Sequence, residues 1–186
     1  GSTGIVSGVS AGTATISYTV SGCVRTTVVT VNSLPATISG TLSVCVGAAT
    51  ALSSATTGGT WATSASGIAT VGSTGNITGV ALGTTTITYT ETDCRRTAVV
   101  TVVALPATLT GSLLICEGGT TTLSSATTGG SWMSGTTSVA TVGGTSGVVV
   151  GIVSGTSGIT YTVSGCTRTA VVTVNALPAA ITGATS

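Results

Sequence analysis

The chain repeats itself about every 71 residues, and this internal repetition limits it to folds in which one small module is used several times. Four features recur in step along the sequence. A Tyr precedes a Cys at Tyr18 and Cys23, Tyr89 and Cys94, and Tyr161 and Cys166, and a Leu-Pro pair recurs at Leu34-Pro35, Leu105-Pro106 and Leu177-Pro178. A Trp recurs at Trp61 and Trp132, and a second Cys at Cys45 and Cys116. A fixed period is the signature of a repeat array, in which each unit packs mainly against its neighbours. Such an array serves as a spacer, a filament or a multivalent surface more often than as a single active site.

The period predicts two complete copies, residues 36–106 and 107–178, with a partial copy on each side. Residues 1–35 match the second half of a copy, because Gly1-Ser2-Thr3-Gly4 corresponds to Gly72-Ser73-Thr74-Gly75. Residues 179–186 match the first strand of a following copy. A chain that starts and stops in mid-repeat, without an initiator Met or a signal-like segment, is expected to be a window from a longer mature polypeptide.

Composition and patterning predict an all-β fold. Thr supplies about a quarter of the residues, Phe and Lys are absent, and Val- and Ile-rich stretches lie between Gly-rich breaks. Residues 86–90 and 98–102 alternate with strand period, and residues 159–163 and 170–174 repeat them. About seven short strands in each copy predict a compact two-sheet β-sandwich.

The residues around the first tryptophan resemble the bacterial immunoglobulin-like group 2 domain. The runs that carry the resemblance are Trp61 to Val71, Gly75 to Val80 and Gly83 to Tyr89, and the second copy departs from them at Val149-Val150-Gly151. The resemblance implies tandem immunoglobulin-like β-sandwiches. It implies little about a ligand, because domains of this family serve in adhesins, surface stalks and phage tail proteins alike.

The repeated residues also suggest how each domain is held together and joined to the next. One Trp in each sandwich is expected to lie on a central strand as a core residue, and each Tyr to lie in the core or at a corner with its hydroxyl anchored on backbone. Proline restricts its own φ angle, so a short Leu-Pro linker predicts a semi-rigid rod of domains stacked end to end. The core candidates are Trp61, Trp132, Tyr18, Tyr89 and Tyr161, and the linker residues are Pro35, Pro106 and Pro178.

Five cysteines in a chain with few charges predict disulfides and an oxidising, extracellular compartment. Counting favours two bonds within copies, Cys45 with Cys94 and Cys116 with Cys166, which leaves Cys23 to pair outside this segment. In an immunoglobulin-like topology, however, the first strand ends at the pole opposite the last hairpin. The alternative is therefore a bond from Cys45 to Cys166 in the next copy. Metal binding is the weaker reading, because there is no His and no C-x-x-C pair.

Charged residues make up 4% of the chain, where soluble domains carry about 25%. Without His or Lys the usual general bases are missing, so the sequence predicts no enzyme and no cofactor. Glu91 and Asp93 could form at most a weak calcium site, and the adjacent Arg95 and Arg96 oppose a cation. The four arginines are too few and too dispersed for nucleic-acid binding, and no segment reaches the ~20 apolar residues of a membrane span.

Two functions of different class fit this sequence. In the first, it is a structural repeat segment of a secreted or cell-surface bacterial protein that forms a filament, sheath or stalk through contacts between copies. In the second, it is the monomeric spacer stalk of an adhesin that presents a separate binding domain. The low charge favours the first, because uncharged Thr-rich faces can pack together without desolvating ions. Glycans on the Thr and Ser hydroxyls are a further possible partner.

Overall fold

The computed structural model describes residues 4–180, and within that range the fold is all-β without a helix. No segment of the described chain is therefore a helix able to cross a membrane. The chain divides into two compact units, an amino-terminal unit of Gly1–Val102 and a carboxy-terminal unit of Val103–Ser186.

The amino-terminal unit contains a long hairpin followed by a two-sheet sandwich. Its strands are β1 (Gly12–Val20), β2 (Cys23–Val31), β3 (Ser39–Gly40), β4 (Ser43–Cys45), β5 (Ala49–Ser53), β6 (Thr60–Thr63), β7 (Ala69–Val71), β8 (Asn76–Gly79), β9 (Gly83–Glu91) and β10 (Cys94–Val103). One sheet has the order β4-β10-β9-β6 and the other the order β3-β5-β8-β7, while β1 and β2 form a two-stranded sheet.

The core of this sandwich is drawn from both four-stranded sheets. Ile87 and Val100 come from β9 and β10, and Leu52 and Ile77 come from β5 and β8. Burial alternates along β9, as the period-2 pattern predicts, because successive side chains of a strand point to opposite faces. The hydrophobic side chains of the two sheets therefore close one shared apolar layer.

The carboxy-terminal unit has the same design with seven strands in its described part. They are β11 (Leu114–Cys116), β12 (Thr120–Thr122), β13 (Ser131–Ser134), β14 (Ala140–Val142), β15 (Val148–Gly151), β16 (Gly155–Val163) and β17 (Cys166–Asn175). The sheets are β11-β17-β16-β13 and β12-β15-β14. Ile159, Val172, Leu123 and Val149 join them in one core cluster.

The four stretches expected to be strands from their alternation lie within β9, β10, β16 and β17, so this prediction is confirmed. The tryptophan strand differs from expectation. A central strand was predicted, but β6 and β13 lie at the edge of their sheets, each paired with one neighbour. Trp61 on β6 is half-buried, whereas Trp132 on β13 is 8% exposed and belongs to the core, so an edge position does not by itself leave the ring open.

Candidate functional site

The repeated aromatic residues form the same small structure in both units. Trp61 packs on Tyr89 with ring centroids 4.7 Å apart, and Trp132 packs on Tyr161 at 4.5 Å. Each tilted pair follows from strand pairing, which places the Trp directly opposite the Tyr across two antiparallel strands. The pairs close the edge of each core.

Each buried Tyr hydroxyl is anchored on backbone. Tyr89 donates to the carbonyl of Thr56 at 2.6 Å and accepts from the N–H of Gly59 at 2.9 Å. Tyr161 makes the equivalent bonds to Thr127 and Gly130, both at 2.9 Å. A side chain at Gly59 would meet the Tyr89 ring, which explains why glycine stands there. Tyr18, also expected in a core, is instead 72% exposed.

A shallow cleft lies over each aromatic pair and is lined largely by hydroxyls. In the amino-terminal unit the lining includes Ser54, Thr57, Ser73 and Thr74, and the cleft has a volume of about 320 Å³. The equivalent cleft of the carboxy-terminal unit has about 250 Å³. Neither lining contains an ionisable acid or base apart from its Tyr, whose hydroxyl is already engaged with backbone, so the clefts lack groups for acid–base catalysis.

Sequence reasoning did not single out two buried hydroxyls. Thr85 and Ser157 are almost fully buried at equivalent positions. Thr85 contacts the hydroxyl of Thr63 at 2.9 Å and accepts from the N–H of Ala65 at 3.1 Å. Ser157 contacts the hydroxyl of Ser134 at 2.9 Å. The sequence signal that could have identified them is a hydroxyl residue at the same core-facing strand position in both complete copies.

The recurring arginine binds the backbone next to the predicted linker. Arg96 Nε donates to the carbonyl of Pro35 at 3.0 Å, and Arg168 Nε donates to that of Pro106 at 2.9 Å. Pro35 and Pro106 are themselves fully buried. Pro178 is exposed. Arg96 and Arg168 therefore each hold the start of their own copy in place.

The cysteines occupy two kinds of position. Cys45 and Cys166 are both disulfide-bonded, whereas Cys23, Cys94 and Cys116 are free thiols. The pairs expected from counting, Cys45 with Cys94 and Cys116 with Cys166, are therefore not formed.

The topology explains why. β11 pairs in parallel with β17 so that Cys116 lies opposite Asn175, the last residue of β17, while Cys166 is its first residue. Ten extended residues separate these ends by about 30 Å, and a disulfide needs Cα atoms within about 7 Å. In the amino-terminal unit β4 likewise runs beside the carboxyl end of β10, because the N–H of Thr101 donates to the carbonyl of Leu42.

No group of three or more potential metal ligands is found in residues 4–180. Two of the acidic side chains accept hydrogen bonds within their own units. Glu91 accepts a hydrogen bond from the Thr92 hydroxyl at 3.0 Å, and Glu117 accepts one from the N–H of Ser154 at 2.7 Å.

Two sheets that share one core, with an edge Trp packed on a backbone-anchored Tyr, define this protein as a chain of β-sandwich units without a catalytic constellation among the described residues. Residues 25–102 match the family model of the bacterial Ig-like domain (group 2). Comparison with curated protein sequences gives no significant match.

Several solved structures are similar to this chain at low identity. Domains 4 and 5 of the S-layer protein SbsC are 16% identical with a TM-score of 0.40, covering 77% of this chain and 100% of that one. A C-terminal fragment of intimin, solved with the intimin-binding domain of its translocated receptor, is 16% identical with a TM-score of 0.47, covering 77% and 64%. A SusE-like surface polysaccharide-binding protein from Bacteroides thetaiotaomicron is 13% identical with a TM-score of 0.37, covering 76% and 34%.

Proposed function

We propose that this chain is a structural repeat segment of a long extracellular bacterial protein whose copies contact one another end to end and side by side, forming a filament, sheath or stalk. The observation that carries the proposal is a nearly uncharged surface with apolar residues exposed at equivalent positions of both units. Val99 and Val171 are 56% and 57% exposed, and Val80 and Ile152 are both 47% exposed. The same exposed apolar side chains are thus offered by each unit, as repeated contacts between copies would require.

The polar groups on these faces can be removed from water at small cost. Around Val171 the neighbouring strands carry threonines, and the hydroxyls of Thr160 and Thr169 already bond each other at 2.8 Å. A hydroxyl with its partner in place loses little on desolvation, whereas an ion would lose several kcal/mol. The same surface would give an isolated molecule little charge repulsion to keep it in solution.

An extracellular location is supported by the disulfide-bonded cysteines Cys45 and Cys166, since disulfides persist mainly in oxidising compartments. The competing function is a monomeric adhesin stalk. The two differ in one property, because a polymer needs self-complementary surfaces on every copy while a stalk stays monomeric along its length.

The test compares the unmodified chain with the double variant Val99→Lys, Val171→Lys. We expect the unmodified chain to sediment as concentration-dependent oligomers and to form ordered fibres in electron micrographs. Lysines at the centre of the contact should reduce assembly at least about tenfold, because each buried contact would then desolvate an ammonium group. Both positions are exposed, so each sandwich should keep its stability.

The matched control is Ser66→Lys, Thr137→Lys, which adds the same charge at equivalent exposed turn residues. This variant should assemble like the unmodified chain. A monodisperse unmodified chain at high concentration would refute the polymer and leave the adhesin stalk. An intact mass above the sequence mass in native material would show that glycans, rather than neighbouring copies, cover the hydroxyls.

A further inference from the structure

The β1–β2 hairpin exposes a face that is buried in both complete copies. Ile16 and Tyr18 are 37% and 72% exposed, whereas their equivalents Ile87 and Tyr89 are 0% and 4% exposed. The hairpin itself is well formed, with continuous pairing from Gly12 opposite Val31 to Val20 opposite Cys23. The difference therefore lies in what covers the hairpin and not in the hairpin itself.

Both outer edges of the hairpin are also unpaired within the described residues. In the complete copy β9 pairs with β10 and β6, and β10 also neighbours β4. β1 and β2 pair only with each other. Each open edge presents backbone donors and acceptors that a further strand can satisfy.

One segment that packs on this face in a complete copy also packs on the β1–β2 hairpin. The segment 4–11 lies against the hairpin as 75–82 lies against β9 and β10: a Cβ on Gly8 would stand 2.9 Å from Val31, and one on Gly79 would stand 3.0 Å from Val102. Beside this segment a cleft of about 330 Å³ remains, whose lining combines apolar side chains with hydroxyls: Val6, Val9, Ile16, Val29 and Val31 with Ser7, Ser10 and Thr13.

We propose that this face is the docking surface for the first half of a repeat, a segment with the pattern of residues 36–71 that stands in repeat register before the hairpin. The chain's own residues 36–71 are not available, because Val44, Leu52 and Ala69 are buried in their own core. The repeat register supports this order, because residues 36–71 directly precede the equivalent segment and hairpin, residues 72–103, in the complete copy.

The docked segment would add strands at both edges and fill the cleft. Its Trp would lie opposite Tyr18, as Trp61 lies opposite Tyr89. Its loop carbonyl would accept the Tyr18 hydroxyl, as the Thr56 carbonyl accepts that of Tyr89. This inference concerns closure of one sandwich and is independent of lateral assembly.

The experiment fuses a second copy of residues 36–71 directly ahead of Gly1 in the full chain. Amide hydrogen exchange of β1 and β2 is compared between the fusion and the unmodified chain, with β16 and β17 as an internal measure of correct folding. We expect exchange of the hairpin amides to slow by at least about a hundredfold, because an exposed hairpin opens far more easily than a closed sandwich.

Two hairpin variants of the fusion make the test specific. Ile16→Asp places a charge on the docking face and should remove the protection, whereas Val28→Asp, on the opposite and already exposed face, should keep it. Equal exchange with and without the fused segment, or protection that survives Ile16→Asp, would overturn the proposal. Full protection by the free 36–71 peptide but not by the fusion would also overturn it, because the surface would then serve a second molecule.

Discussion

At the scale of single residues, the hydrogen bonds from a Tyr hydroxyl to loop backbone are the same in both units. Tyr89 and Tyr161 each hold a loop carbonyl and a loop N–H while their rings fill the core edge. Each hydroxyl therefore ties the loop before the Trp strand to the strand that carries the Tyr. Tyr18 has the same sequence context but an exposed ring.

Replacing Tyr89 by Phe should lower the free energy of unfolding of its sandwich by about 1 to 3 kcal/mol, because the Gly59 N–H and the Thr56 carbonyl lose a shared partner. Tyr161→Phe should cost a similar amount. Tyr18→Phe is the matched control and should change stability by less than about 0.5 kcal/mol, as expected for an exposed position. Thermal and urea unfolding of the three variants measure the effect; equal losses at all three positions would contradict it.

At the scale of elements, the three long hairpins have the same antiparallel strand pairing but different residues in their turns. Each long hairpin is closed by two residues with positive φ, and these are Ser21-Gly22, Thr92-Asp93 and Ser164-Gly165. Two left-handed residues are the requirement of a type I′ turn, whose twist matches the strands it joins. Thr92 and Asp93 occupy this turn without a glycine, so the β9–β10 hairpin carries local strain that the other two lack.

Asp93→Gly should therefore stabilise its sandwich by about 0.5 to 1 kcal/mol, since glycine adopts a φ of 66° without steric cost. The reciprocal change, Gly165→Asp at a φ of 81°, should destabilise the other unit by a comparable amount. Both effects are read from denaturant midpoints at constant slope. A loss of stability in Asp93→Gly would mean that the carboxylate makes a contact worth more than the strain it relieves.

At the scale of the whole molecule, strand order decides which cysteines of one copy can bond to each other. The parallel pairing of the first strand with the end of the last strand places the two cysteines of a copy at opposite ends of that strand. A bond within a copy is thereby excluded by distance. The second pairing expected from sequence, Cys45 with Cys166, stays a prediction.

Peptide mapping without reduction, after blocking of free thiols, tests that pairing. We expect one cross-linked peptide pair containing Cys45 and Cys166, and alkylation at Cys23, Cys94 and Cys116. Reduction should lower stability by about 2 to 4 kcal/mol, the usual contribution of a disulfide. A cross-link from Cys116 to Cys166 would contradict the strand pairing itself, since it requires the two ends of β17 to meet.

Much of the fold could be predicted from the sequence because the strand signal is local. The alternation in residues 86–90 and 98–102 places β9 and β10 correctly, and the repeat carries the prediction to β16 and β17. The edge position of the Trp strand, the buried hydroxyls of Thr85 and Ser157, and the exposure of Tyr18 were missed. Each depends on which strands lie beside the residue, and a one-dimensional pattern does not record that.

The sequence by itself determined the all-β class, the repeated module and the absence of His- and Lys-based chemistry, since composition and periodicity follow directly from residue order. Only the tertiary structure decided which cysteines can meet, which tyrosines are enclosed and which hairpin face stays open. These properties arise from contacts between residues far apart in the chain. Strand order and register bring such residues together or keep them apart, and identical local sequences can then have different surroundings.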